Sequence, residues 1–161
     1  MSNKLQPYRT PEGEALTSLI LNLFRVTSLM LTAGDRLVEN LGLTSARWQV
    51  LGTIVAADRP QPVSWLARDM GVNRQNVQRI VNDLVKEGFV TMASNPHHRR
   101  AQLVTLTDKG ELAYDDAMKL QLPWINKLSD GLKLKDIEST HNVLVALRQK
   151  LEGTDASDGE V

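Results

Sequence analysis

The sequence predicts a mainly helical α+β fold, six helices with one small two-stranded β-hairpin. Three observations predict it. Apolar residues recur at helical spacing through most of the chain. The pattern changes to short strand-like runs only once, after Gly88. Capping residues, glycines and prolines stand at nearly every change of pattern.

The elements follow in order. Thr10-Pro11-Glu12 reads as a helix start: a hydroxyl cap, proline at the first position, then an acid in the first turn. Leu16, Leu19, Ile20, Leu23, Met30, Leu37 and Leu41 continue the helix, and Gly42 is placed to end it. Its length of about 30 residues far exceeds the ~11–12 of an average helix, and such a helix in a short chain suits pairing with a second chain. Thr44 caps a second helix with Trp48, Leu51, Ile54 and Val55 inward, stopped by Asp58-Arg59-Pro60-Gln61-Pro62. A third, short helix runs from Ser64 to Gly71, and a fourth from its cap Asn73 to about Glu87. Phe89–Met92 and Ala101–Leu106 read as the two strands, joined by the polar loop Ser94–Arg100. A fifth helix starts at Thr107-Asp108-Lys109, with Pro123 expected to kink or interrupt it, and Asp130-Gly131 is a break. The last helix spans about Lys135–Leu151 with Ile137, His141, Leu144, Leu147 and Leu151 on one face, and a disordered acidic tail is expected over 153–161.

Composition limits the function classes. At 161 residues and 42% hydrophobic, the chain can bury an ordinary core. It has no cysteine, which removes disulfides, thiolate catalysis and cysteine-based zinc sites. Met1–Pro11 lacks an apolar leader and no apolar run of about 18 residues occurs, so a cytoplasmic protein without a membrane partner is expected. Gly-x-Ser-x-Gly, phosphate-loop, His-Glu-x-x-His and dinucleotide glycine patterns are all absent, so no enzyme is expected. Asp115-Asp116 and the pair Asp35 and Glu39 read as solvated helix faces. Net charge is zero, yet residues 72–107 carry five basic against two acidic side chains and residues 152–161 carry four acids and no base.

The informative segment is Ser64–Gly88. Ala67, Gly71 and Val77 have the types and spacing of a helix-turn-helix: a small residue where two helices cross, a glycine for the positive φ of the turn, and an apolar residue filling the angle. Val72 and Ile80 are expected in the same buried seam. The second helix carries Asn73, Arg74, Gln75, Asn76, Gln78 and Arg79 on its first two turns. Guanidiniums and amides hydrogen-bond base edges, and a helix-turn-helix presents this part of its second helix to the major groove. A solvated face more commonly carries Glu and Lys, and this stretch has neither. The following loop, with His98, Arg99 and Arg100, is a hairpin tip able to reach a minor groove. Ser64, in the first turn of the shorter helix, is placed for the DNA backbone. His97 and His98 lack further ligands nearby, so no metal site is expected.

In this order and spacing, the residues resemble the MarR family of winged-helix regulators over about Glu14–Leu151. The resemblance rests on Leu43-Thr44 with Trp48-Gln49-Val50-Leu51, the segment Val63–Gly88, Gly88-Phe89-Val90, Arg99-Arg100, and Leu106-Thr107-Asp108-Lys109-Gly110. It implies a homodimer through interleaved N- and C-terminal helices. The expected organisation is a dimerisation helix over 1–42, a winged helix-turn-helix lobe over 43–108 and C-terminal dimerisation helices over 109–152. It implies repression or activation, repression being the expectation here, on palindromic double-stranded DNA, relieved by a small aromatic or phenolic effector bound between the dimerisation helices and the lobe; no cofactor is expected. Trp48 lies near that region, although core packing is the favoured reading for it. The family's wing commonly reads Asp-x-Arg; here His98 stands at the acid's position, which leaves the wing either looser or held through Asn95. Arg100 matches the family's minor-groove arginine, and Arg99 falls to phosphate. A winged-helix protein-interaction module is the competing class, allowed by the zero net charge and disfavoured by the Arg-, Asn- and Gln-rich helix face.

Overall fold

A computed structural model of the chain describes residues 8–96, 98 and 101–157. Among the described residues there are six α-helices: α1 Pro11–Val38, α2 Ser45–Ala56, α3 Val63–Met70, α4 Arg74–Lys86, α5 Asp108–Ser129 and α6 Leu134–Ser157. Three strands accompany them, β1 Gln61–Pro62, β2 Val90–Ala93 and β3 Leu103–Leu106. The chain divides inside α5 into two compact units, one ending at Gln121 and one beginning at Leu122.

The local signals act where expected. Thr10 Oγ1 accepts from Gly13 N, and Thr44 caps α2 through Arg47 N. A turn of 3-10 helix, Glu39–Leu41, follows α1 and closes on Gly42 in the left-handed region. Gly131, with φ of 80°, separates α5 from α6.

Four expectations are corrected. The hairpin has a third strand, in the order β1-β3-β2, all antiparallel. Gln61 precedes Pro62, and a residue before proline is held extended. Pro62 has no N–H to give to a ladder, which confines this segment to the sheet edge where it lies. Pro123 does not interrupt α5, which continues to Ser129; the proline loses its own N–H bond and crowds the carbonyl four residues earlier, a local cost that the turns on either side outweigh. The acidic tail does not begin at Gly153, because α6 runs through Ser157. Glycine there weakens a helix by about 1 kcal/mol without breaking it. Val72 is 46% exposed rather than in the seam, because Leu66, Ala67 and Val77 already fill the crossing and the turn residue faces outward.

The core belongs to the first unit. Val38, Leu43, Val50, Leu51, Leu66, Val77, Val81, Leu84, Phe89, Val90, Val104, Ala113 and Ala117 are buried together. Helix α1 joins it only near its end. Gly34 lies so close to Ser45 that a Cβ would strike the hydroxyl, which donates to Leu31 O at 2.7 Å while Ser45 N donates to Asp35 Oδ1 at 2.6 Å. Most of α1 packs less. Leu16, Leu19, Ile20 and Leu23 are half-buried, whereas Phe24 and Leu29 are 68% and 70% exposed. By length and mean hydropathy alone Pro11–Leu41 would suffice to cross a membrane, while the run itself is not unbroken: Thr, Ser and Asn interrupt it without adding charge, and Arg25 is its one charge from Leu16 to Gly34. In the second unit no described residue is buried, and Leu122, Leu132, Leu134 and Leu151 are largely exposed.

Candidate nucleic-acid interface

The sequence Leu66-Ala67…Gly71…Val77 folds α3 and α4 into a helix-turn-helix. Gly71 takes φ 65° and ψ 31°, and open space surrounds the position of a Cβ there, so backbone conformation rather than crowding selects glycine. Val72 N then donates to Ala67 O at 3.0 Å. Asn73 Oδ1 accepts from Gln75 N at 2.7 Å and starts α4.

This start exposes Asn73, Arg74, Gln75, Asn76 and Arg79, while Val77 and Val81 anchor the opposite face in the core. Two of the six predicted side chains have other work. Asn73 uses its carbonyl oxygen as the cap. Gln78, half-buried, donates from Nε2 to Asn82 Oδ1 at 2.9 Å. Gln75, Arg79 and Asn82 fall at helical spacing on one exposed face. Asn82 was missed in the sequence because it stands in the third turn, beyond the stretch where a recognition helix is densest in contacts.

A second structural set holds this helix in place. Arg47 at the start of α2 makes two hydrogen bonds to Glu87, at 2.7 and 3.0 Å, and a third to Gly42 O at 3.2 Å. Lys109 donates to Glu87 O at 2.7 Å and lies 4.2 Å from the centre of the Phe89 ring. Thr107 Oγ1 donates to Gly88 O at 2.7 Å and accepts from Gly110 N at 3.1 Å. A Cβ at Gly110 would collide with the Phe89 carbonyl. The run Thr107-Asp108-Lys109-Gly110 therefore clamps the start of α5 onto the end of α4 and the first residues of the sheet.

Ser64 is exposed in the first turn of α3, whose N-cap position Pro62 offers no side-chain acceptor. Of the wing, His98 is exposed; its N–H donates to Asn95 O at 3.2 Å, and Ala101 N donates to His98 O at 3.0 Å. Arg99 and Arg100, like His97, lie outside the described residues. A cleft of about 810 Å³ brings Ser64, Arg74, Asn95 and His98 together with Arg59 and Trp65. Trp65 is 42% exposed, with the Arg59 and Arg68 guanidiniums 5.5 and 5.6 Å from its ring centre. In the sequence Arg59 is legible only as part of a helix stop and Trp65, at the start of the third helix, as packing or a backbone contact; their pairing spans a turn that periodicity does not see. Trp48 is half-buried against the core. A smaller cleft of about 430 Å³ opens between α2 and α3, lined by Gln49, Gly52, Thr53, Asp69 and Met70, without Trp48.

A helix-turn-helix followed by a β-hairpin, with an amide- and guanidinium-rich helix exposed, defines a winged-helix transcription regulator. The sequence profile of the MarR family matches residues 41–101. An uncharacterised protein of Mycobacterium tuberculosis is 32% identical over 82% of this chain and 91% of its own length. The transcriptional activatory protein BadR of Rhodopseudomonas palustris is 26% identical over 88% of this chain and 83% of its own. Two solved structures share the fold. The organohalide-sensing regulator RdhR bound to 2,4-dichlorophenol has a TM-score of 0.77 at 16% identity, covering 93% of this chain and 89% of its own. CouR of Rhodococcus jostii bound to p-coumaroyl-CoA has a TM-score of 0.71 at 21% identity, covering 80% and 90%. The chain belongs to the MarR family of transcription regulators.

Proposed function

We propose that the chain is a cytoplasmic, sequence-specific repressor that binds palindromic operator DNA as a homodimer and has no catalytic role. The observation that carries this reading is the exposed face of α4, where Arg74, Gln75, Asn76 and Arg79 project from a helix whose other face is fixed in the core. Arg and amide side chains there discriminate base edges in a major groove. Arg99 and Arg100 extend the contact to minor groove and backbone. Ser64 adds a backbone contact.

The dimer is supported by surface that a lone chain leaves wet. Phe24 and Leu29 of α1 and Leu122, Leu132 and Leu134 of the second unit are exposed, and that unit buries none of its described residues. A second copy covering these helices removes them from water, and two copies would set the recognition helices about one DNA turn, ~34–36 Å, apart.

A small aromatic or phenolic effector is supported by the ligands of two fold relatives, a dichlorophenol and a coumaroyl thioester. Such a ligand would release DNA by favouring a lobe separation that no longer matches the half-sites.

Mobility shift of the purified protein on DNA upstream of its own gene, against random competitor at two salt concentrations, tests the reading. A shift that survives excess competitor is expected. Equal loss to random DNA would leave a general DNA binder. No binding at low salt would move the reading to a protein-interaction module. A reporter behind that DNA distinguishes repression from the activation for which BadR is named.

A further inference from the structure

We propose that Arg59, Trp65 and Arg68 form a phosphate clamp that grips the DNA backbone beside the recognition helix. The proposal rests on the DNA-binding reading above and adds residues outside α4 and the wing. Trp65 is exposed, and two guanidiniums flank it at 5.5 and 5.6 Å from the ring centre. A guanidinium held over a ring within about 6 Å of its centre keeps N–H groups to meet a phosphate, which suits arginine far better than lysine. An arginine held this way has less freedom to lose when it binds.

The surroundings select the occupant. Arg59 and Trp65 line the cleft that also contains Ser64, Arg74 and His98, and no Asp or Glu lines it. Its charged side chains are Arg59 and Arg74, and Ser64, Trp65 and His98 carry O–H or N–H groups, fitting a run of phosphodiesters passing between the recognition helix and the wing base. Arg59 forms no ion pair among the described residues, so its charge is available. Arg68 lies 3.5 Å from Asp69 and is partly neutralised. Arg59 is therefore the principal contact, Arg68 the lesser one, and Trp65 the positioning residue.

Binding of R59A, R68A, W65A and W65F to the upstream DNA and to a mixed-sequence duplex, measured across salt concentrations, tests this. R59A should weaken both duplexes about five- to tenfold and reduce the slope of log K against log salt by about 1, leaving the ratio between the duplexes unchanged. R68A should lose less. W65A should reproduce part of the R59A loss, and W65F, which keeps a ring to stack on, should restore it. Specific binding by wild type with an unaltered slope in R59A would overturn the clamp and leave the DNA reading standing. A changed ratio would make Arg59 a base reader and overturn the phosphate assignment. Failure of the wild type to bind either duplex would sink both. The exposed Arg59 side chain makes R59A the decisive variant, since it removes no buried group.

Discussion

The side chains on α4 differ in what they are free to do. Arg74, Gln75, Asn76 and Arg79 are exposed, whereas Asn73 is committed to its cap and Gln78 shares a hydrogen bond with Asn82. Gln75→Ala or Arg79→Ala is expected to cost ~1–3 kcal/mol of binding and to relax preference at particular base pairs. Competition among operator variants checks this, and equal weakening on every sequence would reassign those residues to phosphate. Arg100→Ala should instead weaken all sequences and lower the salt slope by about 1. Asn73→Ala acts on folding: loss of the cap should destabilise the protein by ~0.5–2 kcal/mol in chemical denaturation. These residues were legible in the sequence because base-reading chemistry needs particular types at the start of a helix. Their division into free and committed groups was not, since that depends on rotamers.

At the scale of elements, the position of α4 depends on the clamp around Gly88. Arg47, Glu87, Thr107 and Lys109 join three helices and the sheet through polar contacts between residues far apart in sequence. Gly110→Ala would press a methyl into the Phe89 carbonyl. We expect it to destabilise by ~1–3 kcal/mol, as overpacking does, and to weaken DNA binding once the wing hairpin is displaced relative to α4. Thermal denaturation and mobility shift on one preparation check both parts; a variant as stable as wild type would mean the helix start can shift at no cost. The run Thr107–Gly110 was recognised in the sequence as a family feature, but its cause is tertiary. The strand β1 has the same history. Its extended backbone follows from Gln61-Pro62, while its pairing with Leu103 and Val104 needs a partner some forty residues away.

For the whole molecule, the open question is what covers α1 and the second unit. If a second copy does, Tm should rise with protein concentration, because dimerisation stabilises only the folded chain. Dilution should then lower both Tm and helicity. A Tm independent of concentration, with a monomer in sedimentation, would remove the dimer from the proposal. Cosedimentation with lipid vesicles addresses the apolar composition of Pro11–Leu41; we expect the protein to remain in the supernatant.

The helices, their caps, the turn at Gly71 and the chemistry of the recognition face are readable from residue order alone. These are local: a cap bonds within three residues, a glycine chooses its own φ, and helical spacing shows which face is apolar. At Pro123 and Gly153 a local cost suggested an interruption and a tail, yet the helices run on to Ser129 and Ser157. The edge strand, the Arg47–Glu87 link, the Gly110 contact and the placement of Arg59 and Arg68 over Trp65 arise only once the elements pack. Each joins groups whose meeting depends on how the elements pack, and packing is set by the sum of many weak contacts rather than by any one residue type.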